Sequence, residues 1–467
     1  MAQRPVERDV DVVVVGSGGA GLCAALTAHE RGATRVLVAE SEGVVGGSSR
    51  LSGGLVMGAG TRHQRAAGID DSADALFHDY MTVNRWNVAA AVVRRLCDLS
   101  GSVVDWLNDL GVEFYPDLVV GGDELTPRVH LPVGSGQAIV DVLHRECREQ
   151  GIDIALGQRV DRLLTDGQEV FGVAVGDDEI TAHAVIIATG GFGADSDKLA
   201  EFFPSAAATE WTWYIGADGS RGDALELGRQ VGAQLTGHDR GLRLLDVGFD
   251  HVYEAFLPGW LILVDDTGHR FVDETAPYGL LDFVVRDHGD RAWIVFDHAA
   301  LHGPPGAGAL SKVLPGASAR PSRHWNPDLV AAMQAEGRVH AADTVAGLAR
   351  ALGLPPTALE GTVGRYNDFV AKGEDAQCGK DAEFLVPIAD PPFYGAELRP
   401  ATVCSTAFGL RITPDAEVLD ESNHPIPGLY AAGECTGGVV GAQYVGSGNN
   451  YANCTVVGRI AGGAAAE

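Results

Sequence analysis

None of the seven cysteines forms a C-x-x-C pair: Cys23, Cys97, Cys147, Cys378, Cys404, Cys435 and Cys454 are scattered along the chain. That spacing argues against iron–sulfur clusters, structural zinc and C-x-x-C-H haem attachment. An odd, dispersed set fits a reducing compartment. No stretch reaches 18 apolar residues, so no membrane span is expected. The opening "MAQRPVERDVDVVVVGSG" has no apolar run followed by a cleavage site, so no signal peptide is expected either. Together these give a cytoplasmic location as the expectation. Positive charge is scarce, with 34 Lys+Arg against 63 Asp+Glu and a formal net charge of −29. Nucleic acid and anionic membrane both require basic patches, and neither is expected as a partner. There is no short-period repeat and no low-complexity linker.

What the chain has is length and glycine: 467 residues, 46% apolar, with 62 glycines. Many of them cluster in three places, which points to close backbone approach to a ligand. The strongest signal is "DVDVVVVGSGGAGLCAALTAHERGATRVLVAES". Val12–Val15 reads as a short buried strand, and "LCAALTAHERG" as a helix ended by Gly32. "RVLVAES" reads as a second strand closing on Glu40. Between strand and helix, Gly16, Gly18 and Gly21 form G-x-G-x-x-G, with Gly19 and Ala20 inside it. Gly16 allows the tight turn, Gly18 lets a pyrophosphate approach, and Gly21 lets helix and strand pack. The helix N-terminus faces the phosphates, and Glu40 accepts from ribose hydroxyls.

A second glycine-rich stretch, "GVVGGSSRLSGGLVMGAG" (43–60), follows directly. It resembles the "GG-(S/N)-(S/T)…SGG" run by which flavoproteins of the fumarate-reductase and 3-ketosteroid-dehydrogenase superfamily reach their flavin. In the same order, "AVIIATGGFGAD" (184–195) is similar to the strand and turn that return under the cofactor. "GADGSRGDALELGRQVGA" (216–233) is similar to the family's G-D-G helix, and "GLYAAGECTGGVVG" (428–441) to its last strand. The resemblance spans nearly the whole chain. It implies an α/β fold: a Rossmann-type FAD-binding domain with an inserted α+β capping, or substrate, domain. The expected division is 1–234 and 391–467 for the FAD-binding domain and 235–390 for the cap. The implied cofactor contacts are Gly16, Gly18, Gly19, Ala20, Gly21, Glu40, Gly47, Ser48, Ser49, Ser52, Gly53 and Gly54. They continue with Ala188, Thr189, Gly190, Asp223, Gly433, Glu434, Ser447 and Asn449. Members with covalent flavin carry a histidine just after the "GG". Here Ser48 and Ser49 stand there, so non-covalent FAD is expected. With no haem-binding or flavin-carrier extension in the sequence, an external electron acceptor or donor is implied.

Along the chain, helices are expected at 87–110 and 136–150, and a hairpin around 159–175. Further helices are expected near 340–352, at 356–371 and at about 448–465. "PPGAGALSKVLPGASARPSRHWNPD" (304–328) reads as a loop.

The resemblance also sorts the reacting residues. In dicarboxylate reductases of this superfamily the last loop reads G-A-N-R-x-G-G-N, and its arginine clamps a carboxylate. "GAQYVGSGNN" (441–450) puts Tyr444 in that slot. "VCSTAFGL" offers Cys404 and Ser405 where those enzymes carry histidine. "HRFVDETAPYGLL" puts Tyr278 where their acid arginine falls. A desolvated dianion needs paired charge, so fumarate is a poor fit. The replacements are similar to 3-ketosteroid dehydrogenases. That resemblance implies that Tyr278 takes a proton from Cα of a cyclic ketone, while Tyr444 and the Gly448 N–H hold its oxygen. Tyr115 in "GVEFYPD" is a candidate third tyrosine. His130 in "RVHLPVGSG" either contacts a polar part of the substrate or anchors a loop.

Overall fold

The computed structural model describes residues 8–122, 124, 126–249, 251, 254, 257–303 and 324–467. They fall into two compact units. One comprises Met1–Ala208, Gly216–Leu242 and Val403–Glu467, and the other Thr209–Ile215 and Arg243–Thr402.

The first unit is built on a parallel sheet. Strand β1 (Val10–Val15) leads through helix α1 (Gly19–Glu30) to β2 (Val36–Glu40). Helix α2 (Ser135–Glu149) precedes β3 (Asp153–Leu156), and β4 (Asp178–Ile187) and β5 (Pro425–Ala431) complete the set. The order across the sheet is β5-β4-β1-β2-β3, every pair parallel. The unbroken valine run of β1 reflects burial on both faces, and Val12, Val13 and Val14 are wholly inaccessible. The expected hairpin is present: Arg162–Thr165 pairs antiparallel with Val170–Val175, which pairs with β4.

Helix α1 has no polar stripe, because Gly19 to Ala28 are all buried. One of its neighbours is the last helical run, Asn449–Ala452 and Gly458–Ala465, joined by a π-helical stretch at Asn453–Val457. Contact there is backbone to backbone. A Cβ on Gly458 would lie 2.4 Å from the Ala20 carbonyl oxygen, and one on Gly462 2.1 Å from that of Ala24.

The second unit holds a sheet in the order Gly241–Asp246, Phe393–Thr406, Ala292–Asp297, Ile262–Val264. Alternate residues face opposite ways. Leu263, Ile294 and Phe296 enter one apolar cluster, and Ile262, Val264 and Val295 another. The expected helix near 340–352 begins only at Val345. Val339–Ala342 is instead a strand paired with Phe393–Ala396, and the Thr344 side chain caps the helix by accepting from the Gly347 N–H. The unit boundaries fall at 242/243 and 402/403 rather than 234/235 and 390/391. Both observed divisions fall inside strands, Gly241–Asp246 and Phe393–Thr406, which begin after the points where texture alone suggested a change. Of the loop expected at 304–328, residues 304–323 lie outside the described residues.

The "RFVDE" segment is fixed by four fully buried charges. Arg270 makes two 2.8 Å hydrogen bonds to Glu274 and one of 2.6 Å to Asp375. Lys380 lies 2.8 Å from Glu274, and its ammonium also donates to the Gly259 and Leu261 carbonyls. The two charges of each sign balance, the condition for holding ions away from water.

Candidate active site

A cleft of about 700 Å³, partly open to solvent, lies in the first unit at the C-terminal ends of its parallel strands. It is the crevice in which open α/β sheets bind ligands. Gly16 leaves β1 at φ +104°, where a Cβ would strike the Ala188 carbonyl oxygen at 2.4 Å. Gly18, Gly19 and Ala20 follow at the mouth of α1. The first turn of α1 carries no acidic residue, so no carboxylate there opposes an anion at the positive end of the helix. Glu40 closes β2. Its Oε2 accepts from the Ser17 N–H at 2.8 Å and hydroxyl at 2.6 Å, and its Oε1 from the Glu42 N–H at 2.8 Å.

Gly47, Ser48 and Ser49 form the opposite lip. The Ser49 hydroxyl accepts from the Gly19 N–H at 3.0 Å, and that of Ser48 from the Ala217 N–H at 3.0 Å. Ala188, Thr189, Gly190, Asp223 and Glu434 line the remainder of the expected set. Asp223 pairs with Arg159 at 2.6 Å, and burial raises its carboxyl. Glu434 Oε1 accepts from the Thr406 N–H and hydroxyl at 2.9 and 3.1 Å. Burial, opposed by those two bonds, pushes its pKa up to about 7.

Seven expected contacts are not among the lining residues. A Cβ on Gly21 would lie 1.9 Å from the Gly16 carbonyl oxygen, and one on Gly54 2.4 Å from the Gly136 nitrogen. Both are packing glycines. The Ser52 hydroxyl donates to the Ser49 carbonyl and accepts from the Gly54 N–H, closing the turn after the lip; Gly53 sits within that turn. Gly433 packs on Ala20. The Ser447 N–H donates to the Gly121 carbonyl, and the Asn449 side chain donates to the Tyr80 hydroxyl at 3.2 Å. Conversely, Ser17, Glu42, Gln158, Ser220 and Cys454 line the cleft without having been singled out. Ser17 was legible as the second position of the glycine fingerprint. Gln158 was not, since it arrives only because β3 lies beside β2.

The loop 444–450, expected to meet the substrate, belongs to the same unit. The Tyr444 ring is buried, and its hydroxyl oxygen accepts from the Asn450 N–H at 3.2 Å. The Asn450 side chain donates to Ser405 Oγ at 2.8 Å. Gly448 stands at φ +88°, ahead of the last helical run. A Cβ there would meet the Met57 nitrogen at 2.7 Å. The loop is backed by a second glycine pair: Gly122 forms a bridge with Gly446, and a Cβ on Gly122 would meet the Val445 carbonyl oxygen at 2.3 Å.

Residues 11–450 match the family described as FAD binding domain. The chain belongs to that family. It is 32% identical over 98% of its length to a probable fumarate reductase of Shewanella frigidimarina, covering 74% of that protein. It is 30% identical to a vinyl phenol reductase of Lactiplantibacillus plantarum, over 93% of this chain and 91% of the relative. The solved 3-ketosteroid-Δ4-(5α)-dehydrogenase of Rhodococcus jostii superposes with a TM-score of 0.80 at 28% identity, over 100% and 99% of the two chains. The protein is thus a FAD-dependent oxidoreductase of the superfamily whose members act on carbon–carbon double bonds.

The cleft fits FAD on its own chemistry. Thr189 Oγ1 and Glu42 Oε2 are buried there without a hydrogen-bond partner among the described residues, which suits a polar ligand. Among the described residues no histidine lines it. The one lining cysteine, Cys454, is pushed up to about 12 by burial and stays a weak nucleophile.

Of the other expected residues, Tyr278 is half-buried in the second unit, as the first residue of the helix Tyr278–Asp287. Tyr115 is 51% exposed. His130 is wholly buried: Nε2 lies 2.9 Å from Thr61 Oγ1, and Nδ1 lies 3.2 Å from the Val56 carbonyl. Burial drives its imidazole down to about 4. With both nitrogens occupied, His130 ties the Val129–His130 strand to its neighbours. Among the described residues no helix is long and apolar enough to cross a membrane.

Proposed function

We propose that the protein desaturates a cyclic ketone, a 3-ketosteroid or a smaller oxocyclohexane, next to its carbonyl, passing electrons to an external acceptor. The reading rests on the loop at 444–450. Tyr444 and the Gly448 N–H are neutral donors in a segment with no cationic side chain. An oxygen that gains charge as the neighbouring carbon loses its proton needs such donors, each worth about 10²–10³ in rate. A dicarboxylate needs paired cations instead.

In this scheme Tyr278 accepts the Cα proton, a contribution of about 10²–10⁴. FAD, when bound, supplies the hydride acceptor for the Cβ–H bond. The electron pair left at Cα forms the new double bond. A phenol with a reference pKa of about 10 must ionise to act, so the rate rises with pH. Neither Tyr115 nor His130 is needed for these two steps, and His130 has both ring nitrogens occupied.

The same residues serve the reverse reaction, with Tyr278 as proton donor to an enone. The reductases among the relatives favour keeping that direction as the second reading.

The test is anaerobic mixing with a panel of cyclic ketones while flavin absorbance is followed. Bleaching by a ketone, and turnover with an artificial acceptor and no reduced nicotinamide, support the desaturase. Oxidation of reduced flavin by enones alone supports the reductase. No response to either class leaves a flavin-binding protein without this chemistry. Tyr278→Phe is expected to remove nearly all flavin reduction while the ketone still binds. Fumarate turnover equal to that of the best ketone would overturn the substrate class.

A further inference from the structure

Tyr278 opens its helix, and Asp282 follows one turn later on the same face. Asp282 is buried against Arg243, itself buried on the strand Gly241–Asp246. The guanidinium Nε and Nη2 lie 3.1 and 3.0 Å from Asp282 Oδ1, and Nη2 is also 3.0 Å from Asp290, just beyond the helix. Arg286, a further turn along, lies 3.5 Å from Asp282 Oδ2. Its Nε and Nη2 are buried without a hydrogen-bond partner among the described residues.

Two cations and two carboxylates therefore hold the helix that starts with the phenol. Among the described residues, Asp273 and His288 on the adjoining segments have partners of their own. Asp273 accepts from the Thr275 N–H and hydroxyl, and His288 stacks on Phe271 with Nδ1 2.8 Å from the Val284 carbonyl. A mere packing anchor needs no charge, since apolar residues of equal volume replace buried ion pairs at little cost.

We propose that Arg243 is a positioning residue for Tyr278: it fixes the phenol's helix through Asp282, and its charge, opposed by that of Asp282, sets the pH at which the phenol ionises. The inference rests on the reading of Tyr278 as the proton acceptor. A unit charge about 10 Å from a phenol, at an effective dielectric constant of about 20, moves its ionisation by roughly one pH unit.

The test is the pH profile of ketone-driven flavin reduction in the FAD-loaded enzyme, with FAD content and Tm recorded for each variant. Arg243→Gln is expected to move the rising limb up by about one pH unit, roughly tenfold in rate at a fixed pH below it. Asp282→Asn is expected to move the limb down by a similar amount, and Arg243→Lys to leave it near wild type. If Arg243→Gln does not fold, the other two variants still decide. An Asp282→Asn limb that stays in place, or one that shifts the same way as in Arg243→Gln, overturns the proposal. Near wild-type reduction by Tyr278→Phe would instead remove the reading on which it rests.

Discussion

The N–H of Asn450 donates to the hydroxyl oxygen of Tyr444 at 3.2 Å. In the proposed reaction the same hydroxyl also donates, through its own O–H, to the ketone oxygen. Tyr444→Phe is therefore expected to raise KM for a ketone and to slow flavin reduction by about 10²–10³. Some activity survives because the Gly448 N–H cannot be removed by a side-chain change. Combined with Tyr278→Phe, the loss should be smaller than the product of the single losses, as for groups acting on one transition state. Stopped-flow reduction rates check both points.

FAD is expected to be held without a covalent bond, because serines stand at the lip of the cleft and Cys454 remains a thiol. Acid precipitation should release all yellow colour to the supernatant. Colour retained in the pellet contradicts this.

How far the sequence reached is clear around that cleft. Gly16, Gly18, Glu40, Ser48 and Ser49 were readable because each has a local reason to be there: a turn, a helix start, a strand end. Ser220, Glu42 and Gln158 were not. They meet through distant pairings, such as the Gly219 N–H donating to Glu42 at 3.0 Å and the Gln158 N–H to the Glu40 carbonyl at 2.7 Å. For His130 two roles stayed open in the sequence, and its bonds to Thr61 and Val56 fit the anchoring one. The strand Val339–Ala342 was hidden because its alanines suit a helix equally well, and only its partner strand decides.

Glu434 should make the cofactor-free protein sensitive to pH. Its carboxyl, about 4.5 by nature and about 7 when folded, binds its proton more tightly in the native state. Its contribution to stability is full below about pH 4.5 and declines as pH rises through 7. Tm of the apoprotein is expected to fall over that interval, and Glu434→Gln should flatten the slope. Thermal unfolding at stepped pH measures the difference.

The four-charge cluster in the second unit predicts an asymmetry. Glu274→Gln leaves Arg270 and Lys380 facing one remaining carboxylate, at an expected cost of about 3–5 kcal/mol. Glu274→Gln combined with Lys380→Met removes one charge of each sign and should cost less. Denaturant unfolding of the two variants compares them directly. A double variant less stable than the single would show that Lys380 contributes more than charge balance.

The first unit is written in three pieces of chain, and this orders its birth on the ribosome. Strand β5, Glu434 and the glycines Gly458 and Gly462 that pack on α1 are all translated after the second unit's last residue, Thr402. Residues 243–402 can collapse as soon as they emerge, because Thr209–Ile215 has already been made. The nucleotide cleft cannot close until synthesis has passed Cys454. A nascent chain stalled before that point exposes the valine run of β1 and the bare backbone of α1. Capture of FAD thus waits for the third piece of the unit to be made.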